Sequence, residues 1–286
     1  MEIKTIGVLG AGTMGSQIAQ VAAQSGFNVV IRDVEERILE NAMKSIDRFQ
    51  SISVEKGKIS EEDKKSVISR IKPATRMGAV KDVDFIIEAV VEDIDVKQKL
   101  FAELDELTRQ EVVLASNTSS LSLTELATAV KRQDKVVGMH FFNPAQLMRL
   151  VEVVRGLNTC DETVAISMDL VRKFRKEPIE VRIDSPGFVV NRMMIASNIE
   201  AIRLYEQGIA SKEDIDKATK LGLNYPMGPF ELMDYTGLDI NYYVMNGFYH
   251  NLQKELKWDP PLSIKNLVKA GMLGKKTGGG WYDYKK

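Results

Sequence analysis

From residue 5 to residue 181, short apolar and β-branched runs alternate with longer stretches of helical spacing. The strand-like runs are Ile6-Gly7-Val8-Leu9, Val29-Val30-Ile31, Phe85-Ile86-Ile87, Val112-Val113-Leu114 and Val136-Val137-Gly138-Met139, with Leu150-Val151-Glu152-Val153-Val154 and Ile179-Glu180-Val181 beyond them. Helical periodicity covers 17–24, 35–49, 95–107, 123–130 and 163–174. Alternation of this kind predicts a parallel sheet covered on both faces. The stretch 36–70 is too long and too charged for one crossover helix, and Glu55-Lys56-Gly57-Lys58 marks a turn within it, so it reads as an inserted helical hairpin. After Asp184-Ser185-Pro186-Gly187 the strand runs stop, and helices are expected over 189–206, 212–221, from 229 to 232 or beyond, and over 264–270. The chain therefore divides into an α/β domain over 1–184 and an all-helical domain over 185–286. The helical part carries more apolar residues, among them Met193, Met194, Ile195, Ile199, Ile202 and Leu204, than one narrow stripe needs. A second helical layer or a partner subunit is expected to cover the excess.

The first strand run leads directly into Gly10-Ala11-Gly12-Thr13-Met14-Gly15 and then a helix-compatible segment. Strand, glycine triplet and helix in that order form a Rossmann-type dinucleotide turn. Gly10 permits the tight turn, Gly12 lets the backbone approach a pyrophosphate, and Gly15 allows the helix to pack closely on the strand. The helix N-terminus, with Thr13 and Met14 in its first turn, then offers N–H groups and a partial positive charge to the phosphates. Asp33 closes the second strand at the roughly 20-residue offset where an acid accepts hydrogen bonds from the adenosine ribose. A carboxylate there repels a 2′-phosphate, so NAD is the expected cofactor, although Arg32 beside it partly offsets the acid.

Composition narrows the partners. The 286 residues hold 39 basic against 40 acidic side chains, which gives no large field of one sign and argues against nucleic acid. A single cysteine, Cys160, excludes an intrachain disulfide framework and suits a reducing compartment. Met1-Glu2-Ile3-Lys4 lacks the basic and long apolar pattern of a signal peptide, and no run approaches the length of a membrane span. A cytoplasmic protein with no membrane partner and no metal is expected.

A dehydrogenase of secondary alcohols needs a group that takes the hydroxyl proton, and histidine suits that near neutral pH. The chain has two. His140 ends the run Val136 to Met139 and enters Phe141-Phe142-Asn143-Pro144, at the strand ends where ligands gather on parallel sheets, whereas His250 has no such setting. Ser122-Leu123-Thr124-Glu125 fits a helix capping box, which leaves Ser119 available for another role.

Taken together, Gly10-x-Gly12-x-x-Gly15, Ser116-Asn117-Thr118-Ser119-Ser120, His140-Phe141-Phe142-Asn143-Pro144, Leu150-Val151-Glu152 and Gly187-Phe188-Val189-Val190-Asn191-Arg192 resemble, in order, the motifs of the 3-hydroxyacyl-CoA dehydrogenases. The similarity spans nearly the whole chain and favours the compact bacterial 3-hydroxybutyryl-CoA dehydrogenases. The resemblance implies that His140 is the acid–base residue, that Glu152 orients it, and that Ser119 and Asn191 contact an acyl-CoA substrate. It further implies that Glu92, Lys97 and Asn143 lie beside the nicotinamide half of NAD, with Lys276 near the same pocket. Lys56 and Lys58 are candidates for the phosphates of coenzyme A, and a homodimer through the C-terminal domain is implied. Two other readings stand beside this one: a β-hydroxyacid dehydrogenase acting on a free acid, and a catalytically inactive structural relative.

Overall fold

The computed structural model describes residues 2–285. By its internal contacts the chain separates into two compact units, Met1–Ser185 and Pro186–Lys286.

The first unit is built on one eight-stranded sheet in the order β3-β2-β1-β4-β5-β6-β7-β8. Its elements follow as β1 (Thr5–Leu9), α1 (Thr13–Gln24), β2 (Asn28–Arg32), α2 (Glu36–Glu55), α3 (Glu61–Ser69), β3 (Ile71–Ala74) and β4 (Phe85–Glu88). After them come α4 (Ile94–Leu107), β5 (Val113–Ser116), α5 (Leu123–Ala127), β6 (Val136–Phe141), β7 (Leu150–Arg155), α6 (Asp161–Lys173) and β8 (Glu177–Val181). The central strands are buried along almost their whole length, with Ile6, Val8, Ile86, Ile87, Val113 and Val137 fully covered. Each such side chain contributes about 1.5–3 kcal/mol by leaving water. The predicted hairpin of 36–70 is α2 and α3, where Leu39, Ala42 and Ile46 form the buried stripe of α2. Ser60 and Asp63 cap α3 reciprocally, the Asp63 amide donating to Ser60 Oγ and the Ser60 amide to Asp63 Oδ2.

The sheet is not parallel throughout, as the sequence pattern had suggested. β6 and β7 pair antiparallel, and β8 follows β7 in parallel, so the last two strands run against the first six. The segment from 142 to 149 is too short for a helical crossover, so β7 has to return beside β6. β6 also extends to Phe141, which puts His140 inside the strand rather than after it. Three boundaries move as well: α1 begins at Thr13, directly after the glycine turn, α2 runs on to Glu55, and α5 stops at Ala127.

The second unit contains α7 (Val190–Glu206), α8 (Lys212–Gly222), α9 (Pro229–Thr236), α10 (Leu238–Asn251) and α11 (Leu262–Lys269). Ile195, Ile199, Ile202, Phe230, Met233, Leu238, Met245, Phe248, Trp258, Ile264 and Trp281 form its core. The C-terminal segment is held by Asp234, a buried carboxylate that accepts from the amides of Trp281 and Tyr282, both at 2.9 Å. No helix among the described residues is long and apolar enough to cross a membrane.

The glycine turn gives a direct stability test. A Cβ on Gly15 would lie 1.9 Å from the carbonyl oxygen of Gly10, whereas a Cβ on Gly12 would meet nothing within 4 Å. Gly15→Ala must therefore push α1 away from β1 and should lose about 1–3 kcal/mol, the usual scale of overpacking. Gly12→Ala should unfold within about 0.5 kcal/mol of the parent, as substitutions without steric conflict do. Urea unfolding of the ligand-free proteins checks this, and equal losses for both variants would contradict the packing account.

Candidate active site

The glycine turn opens onto a cavity of about 570 Å³ at the C-terminal edge of the sheet, lined among others by Gly10, Gly12, Arg32, Asp33, Val34 and Val90. Gly10 adopts φ +93°, and a side chain there would strike the backbone of Ala89. The open space over Gly12 is the volume a phosphate needs for close approach to the backbone. Asp33 is oriented by two amides, Ala11 N–H to Oδ2 and Val34 N–H to Oδ1, each at 2.7 Å, so it is a turn residue as well as a wall of the cavity. Arg32 is steered by the bond from its Nε to the carbonyl of Thr75. Thr13 and Met14 occupy the first turn of α1. These groups fit the dinucleotide expected from the sequence.

His140 and Glu152 are direct cross-strand partners in the β6–β7 register. Opposed residues of an antiparallel pair point to the same face with their Cβ atoms close together. The side chains meet accordingly: His140 Nδ1 and Glu152 Oε2 are 2.7 Å apart. His140 is 5% exposed and Glu152 has no exposure at all, so Glu152 is not on a solvated face of its strand. Phe142 packs on the imidazole with ring centroids 4.6 Å apart. A carboxylate can only accept, so in the neutral imidazole the Nδ1 proton is the one directed at Glu152 and the lone pair is left on Nε2.

A second cluster lies where β4 and β5 end. Glu88, fully buried, accepts from Lys97 Nζ at 2.6 Å, from the Val90 amide at 2.7 Å and from Ser116 Oγ at 2.6 Å. Lys97, itself 1% exposed, also reaches Glu92 at 3.3 Å. Glu92 Oε1 accepts from the Thr118 hydroxyl at 2.6 Å and from the Ser119 amide at 3.0 Å. Partial burial pushes the Glu92 carboxyl up, but the Lys97 charge and the bonds from Thr118 and Ser119 outweigh it and hold the group below its ordinary value. Ser122 Oγ accepts from the Glu125 amide, the first half of the expected capping box, and donates to Asp184 Oδ2.

Of the other candidates, Asn143 Oδ1 accepts from Gln17 Nε2 at 3.2 Å, which ties the segment after β6 to α1. Lys56 and Lys58 are exposed in the turn between α2 and α3. Asn191 and Lys276 belong to the second unit. Asn191 stands inside the first turn of α7, whose N-cap is Val189, so it is not the capping residue. Lys276 is paired to both oxygens of Asp239, at 2.6 and 2.7 Å. Sequence reading missed Glu88, because it ends an apolar run at Ile87 that is read as strand alone; a carboxylate continuing a fully buried strand was the available signal. Among the described residues no group of three or more His, Cys, Asp or Glu side chains is placed to hold a metal ion.

A glycine turn on a largely parallel sheet, an acid closing β2 and a buried histidine–carboxylate pair at the same sheet edge define a dinucleotide-dependent oxidoreductase. Comparison with known proteins makes the class specific. Residues 5–184 match the family model for the 3-hydroxyacyl-CoA dehydrogenase NAD binding domain, and residues 187–284 match that for its C-terminal domain. The chain is 43% identical to 3-hydroxybutyryl-CoA dehydrogenase of Clostridioides difficile over 281 residues, which covers 98% of this chain and 99% of that one. It is also 43% identical to mitochondrial hydroxyacyl-coenzyme A dehydrogenase of Sus scrofa over 290 residues, covering 99% and 92%. The crystal structure of (S)-3-hydroxybutyryl-CoA dehydrogenase from Ralstonia eutropha superposes with a TM-score of 0.96 at 42% identity and full coverage of both chains. That of 3-hydroxybutyryl-CoA dehydrogenase from Escherichia coli gives 0.97 at 39% identity, this protein matching 99% of its own length to 60% of the longer chain. The protein belongs to the 3-hydroxyacyl-CoA dehydrogenase family, and its cofactor is NAD.

The lowered carboxyl of Glu92 predicts an acid-dependent change in the Ser119 segment. A depressed folded-state value means that the stabilisation is present above the ordinary carboxylate value of 4.5 and is lost as pH falls through the lower one. The amide resonance of Ser119 should therefore titrate with a midpoint below 4.5. A midpoint at or above that value would contradict the bonding described.

Proposed function

We propose that the chain interconverts 3-hydroxyacyl-CoA and 3-oxoacyl-CoA esters, with 3-hydroxybutyryl-CoA and acetoacetyl-CoA as its substrates, and that His140 carries the proton. The observation that carries this reading is the buried 2.7 Å contact between His140 Nδ1 and Glu152 Oε2. The names of the bacterial relatives support the choice of a four-carbon thioester.

NAD, when bound, supplies the hydride acceptor for alcohol oxidation and, in its reduced form, the donor for ketone reduction. His140 Nε2 takes the C3 hydroxyl proton in the first direction and returns it in the second. Glu152 fixes the tautomer that leaves the lone pair on Nε2 and offsets the positive charge that the imidazole gains. Ser119 donates a hydrogen bond to the C3 oxygen, and Asn191 contacts the substrate. Lys97, Glu92, Asn143 and Lys276 serve the nicotinamide half of the cofactor, and Lys56 and Lys58 meet the phosphates of coenzyme A.

The proton accounting sets the expected pH behaviour. Oxidation starts from neutral imidazole and should accelerate with rising pH, whereas reduction starts from imidazolium and should slow. His140→Gln should lower kcat by roughly 10²–10⁴, the scale of a positioned acid or base, with the circular dichroism spectrum unchanged. Steady-state rates in both directions, with acetoacetyl-CoA set beside free acetoacetate, make the test. Near-parental kcat in folded His140→Gln protein, or equal turnover of the free acid, would overturn the proposal.

The second unit also supports a symmetric homodimer. Met193 on α7, Leu221 on α8 and Ile240 and Tyr243 on α10 are 69%, 77%, 53% and 75% exposed, apolar surface that a second copy of the chain would cover. Light scattering at micromolar protein should return twice the chain mass, and a monomer mass would remove the dimer.

A further inference from the structure

Glu88 brings a carboxylate to the end of a strand whose other residues, Phe85, Ile86 and Ile87, are all fully buried. A charge in such a place persists only when it is paired and hydrogen-bonded. Both oxygens are engaged here, one by Lys97 and the Val90 amide, the other by Ser116. What the carboxylate does follows from where these partners lead.

Lys97 is nine residues further on, in the first turns of α4, and its ammonium sits between Glu88 at 2.6 Å and Glu92 at 3.3 Å. A lysine side chain is a flexible stem with a point charge at its end, so its position is set by the partner that holds it most closely. That partner is Glu88. Glu92 in turn is 38% exposed and gathers the Thr118 hydroxyl and the amides of Ser119 and Ser120 on one oxygen, at 2.6, 3.0 and 3.3 Å. Ser116 adds a second route, since its Oγ donates to Glu88 and accepts from the Thr118 amide at 3.2 Å. Both paths run from the sheet interior to the same loop.

We propose that Glu88 is a positioning residue for the loop Thr118 to Ser120, acting through Lys97 and Glu92 and through Ser116, and that it thereby sets where the Ser119 hydroxyl meets substrate. The effect on the loop rests on the bonds given above; the effect on catalysis rests on the reading of Ser119 as a substrate contact. Gln is the informative substitution. Its amide keeps an acceptor for the Val90 N–H and a group that can bond Ser116, but it removes the charge that fixes Lys97.

Two measurements on the full chain test this. Hydrogen exchange of the ligand-free protein should show residues 118–120 exchanging about 10- to 100-fold faster in Glu88→Gln, the scale of one charge-assisted hydrogen bond, with α6 unchanged. The value of kcat/KM for acetoacetyl-CoA should fall by a similar factor of about 10 to 100, yet the same substitution made in a Ser119→Ala background should change it by less than about 2-fold, because residues acting as one unit are not additive. Unchanged exchange at 118–120 overturns the positioning role. An undiminished kinetic loss in the Ser119→Ala background overturns the route through Ser119. Should Ser119→Ala alone leave kcat/KM intact, the substrate reading of Ser119 fails, and the exchange result still decides the role of Glu88. If Glu88→Gln does not fold, the neutral pair Glu88→Gln with Lys97→Met replaces it for the exchange measurement alone, with faster exchange at 118–120 expected and unchanged exchange overturning the positioning role, since an uncharged pair avoids leaving one buried charge alone.

Discussion

A carboxylate can be buried in the middle of a sheet only where a donor already faces it, and the antiparallel return of β7 beside β6 supplies that donor. The register sets Glu152 directly opposite His140, on the same face and at hydrogen-bonding distance. Shifting the pairing by one residue would turn both side chains to opposite faces and leave a buried charge without its partner, at a cost of about 3–5 kcal/mol. The pair therefore specifies the register of the strands as much as the strands position the pair. Because His140 lies at the C-terminal end of β6, which runs parallel to β1, the pair falls at the same edge of the sheet as the glycine turn.

The same constraint governs a second buried charge pair of the first unit. Glu88 and Lys97 are both essentially inaccessible and are matched by each other, Glu88 also by Ser116 of β5 and the Val90 amide and Lys97 also by Glu92. Polar clusters of this kind rigidify when every member is satisfied. Here they lie at strand ends, where the chain leaves the sheet and where loops bearing Glu92, Ser119 and Asn143 need fixed positions. The apolar strands beneath supply the stability, and the charges supply the geometry.

Much of this was legible in the sequence. The β-branched runs located seven of the eight strands, and the glycine triplet with Asp33 pointed to the turn that lines a cavity, because strand-to-helix turns leave a local signature that does not depend on distant residues. β3 escaped because it is four residues long and includes Lys72 and Pro73, a composition that an edge strand tolerates and a central strand does not. α10 escaped because Tyr242, Tyr243, Phe248 and Tyr249 blur helical periodicity, and its helical state is imposed by packing of Leu238, Met245 and Phe248 in the second core. The reversal of β7 is a tertiary choice that no local pattern encodes. His140 and Glu152 were both singled out, yet their direct opposition depends on that reversal, and Glu88 was hidden by the apolar run it terminates.

The central claim is that His140, oriented by Glu152, exchanges a proton with the C3 oxygen of an acyl-CoA substrate. The most direct measurement is a crystal structure of the protein with acetoacetyl-CoA and NAD bound together. The account predicts the C3 oxygen within hydrogen-bonding distance of His140 Nε2, with His140 Nδ1 still on Glu152. A C3 oxygen held by other groups, with His140 turned away from it, would contradict the account.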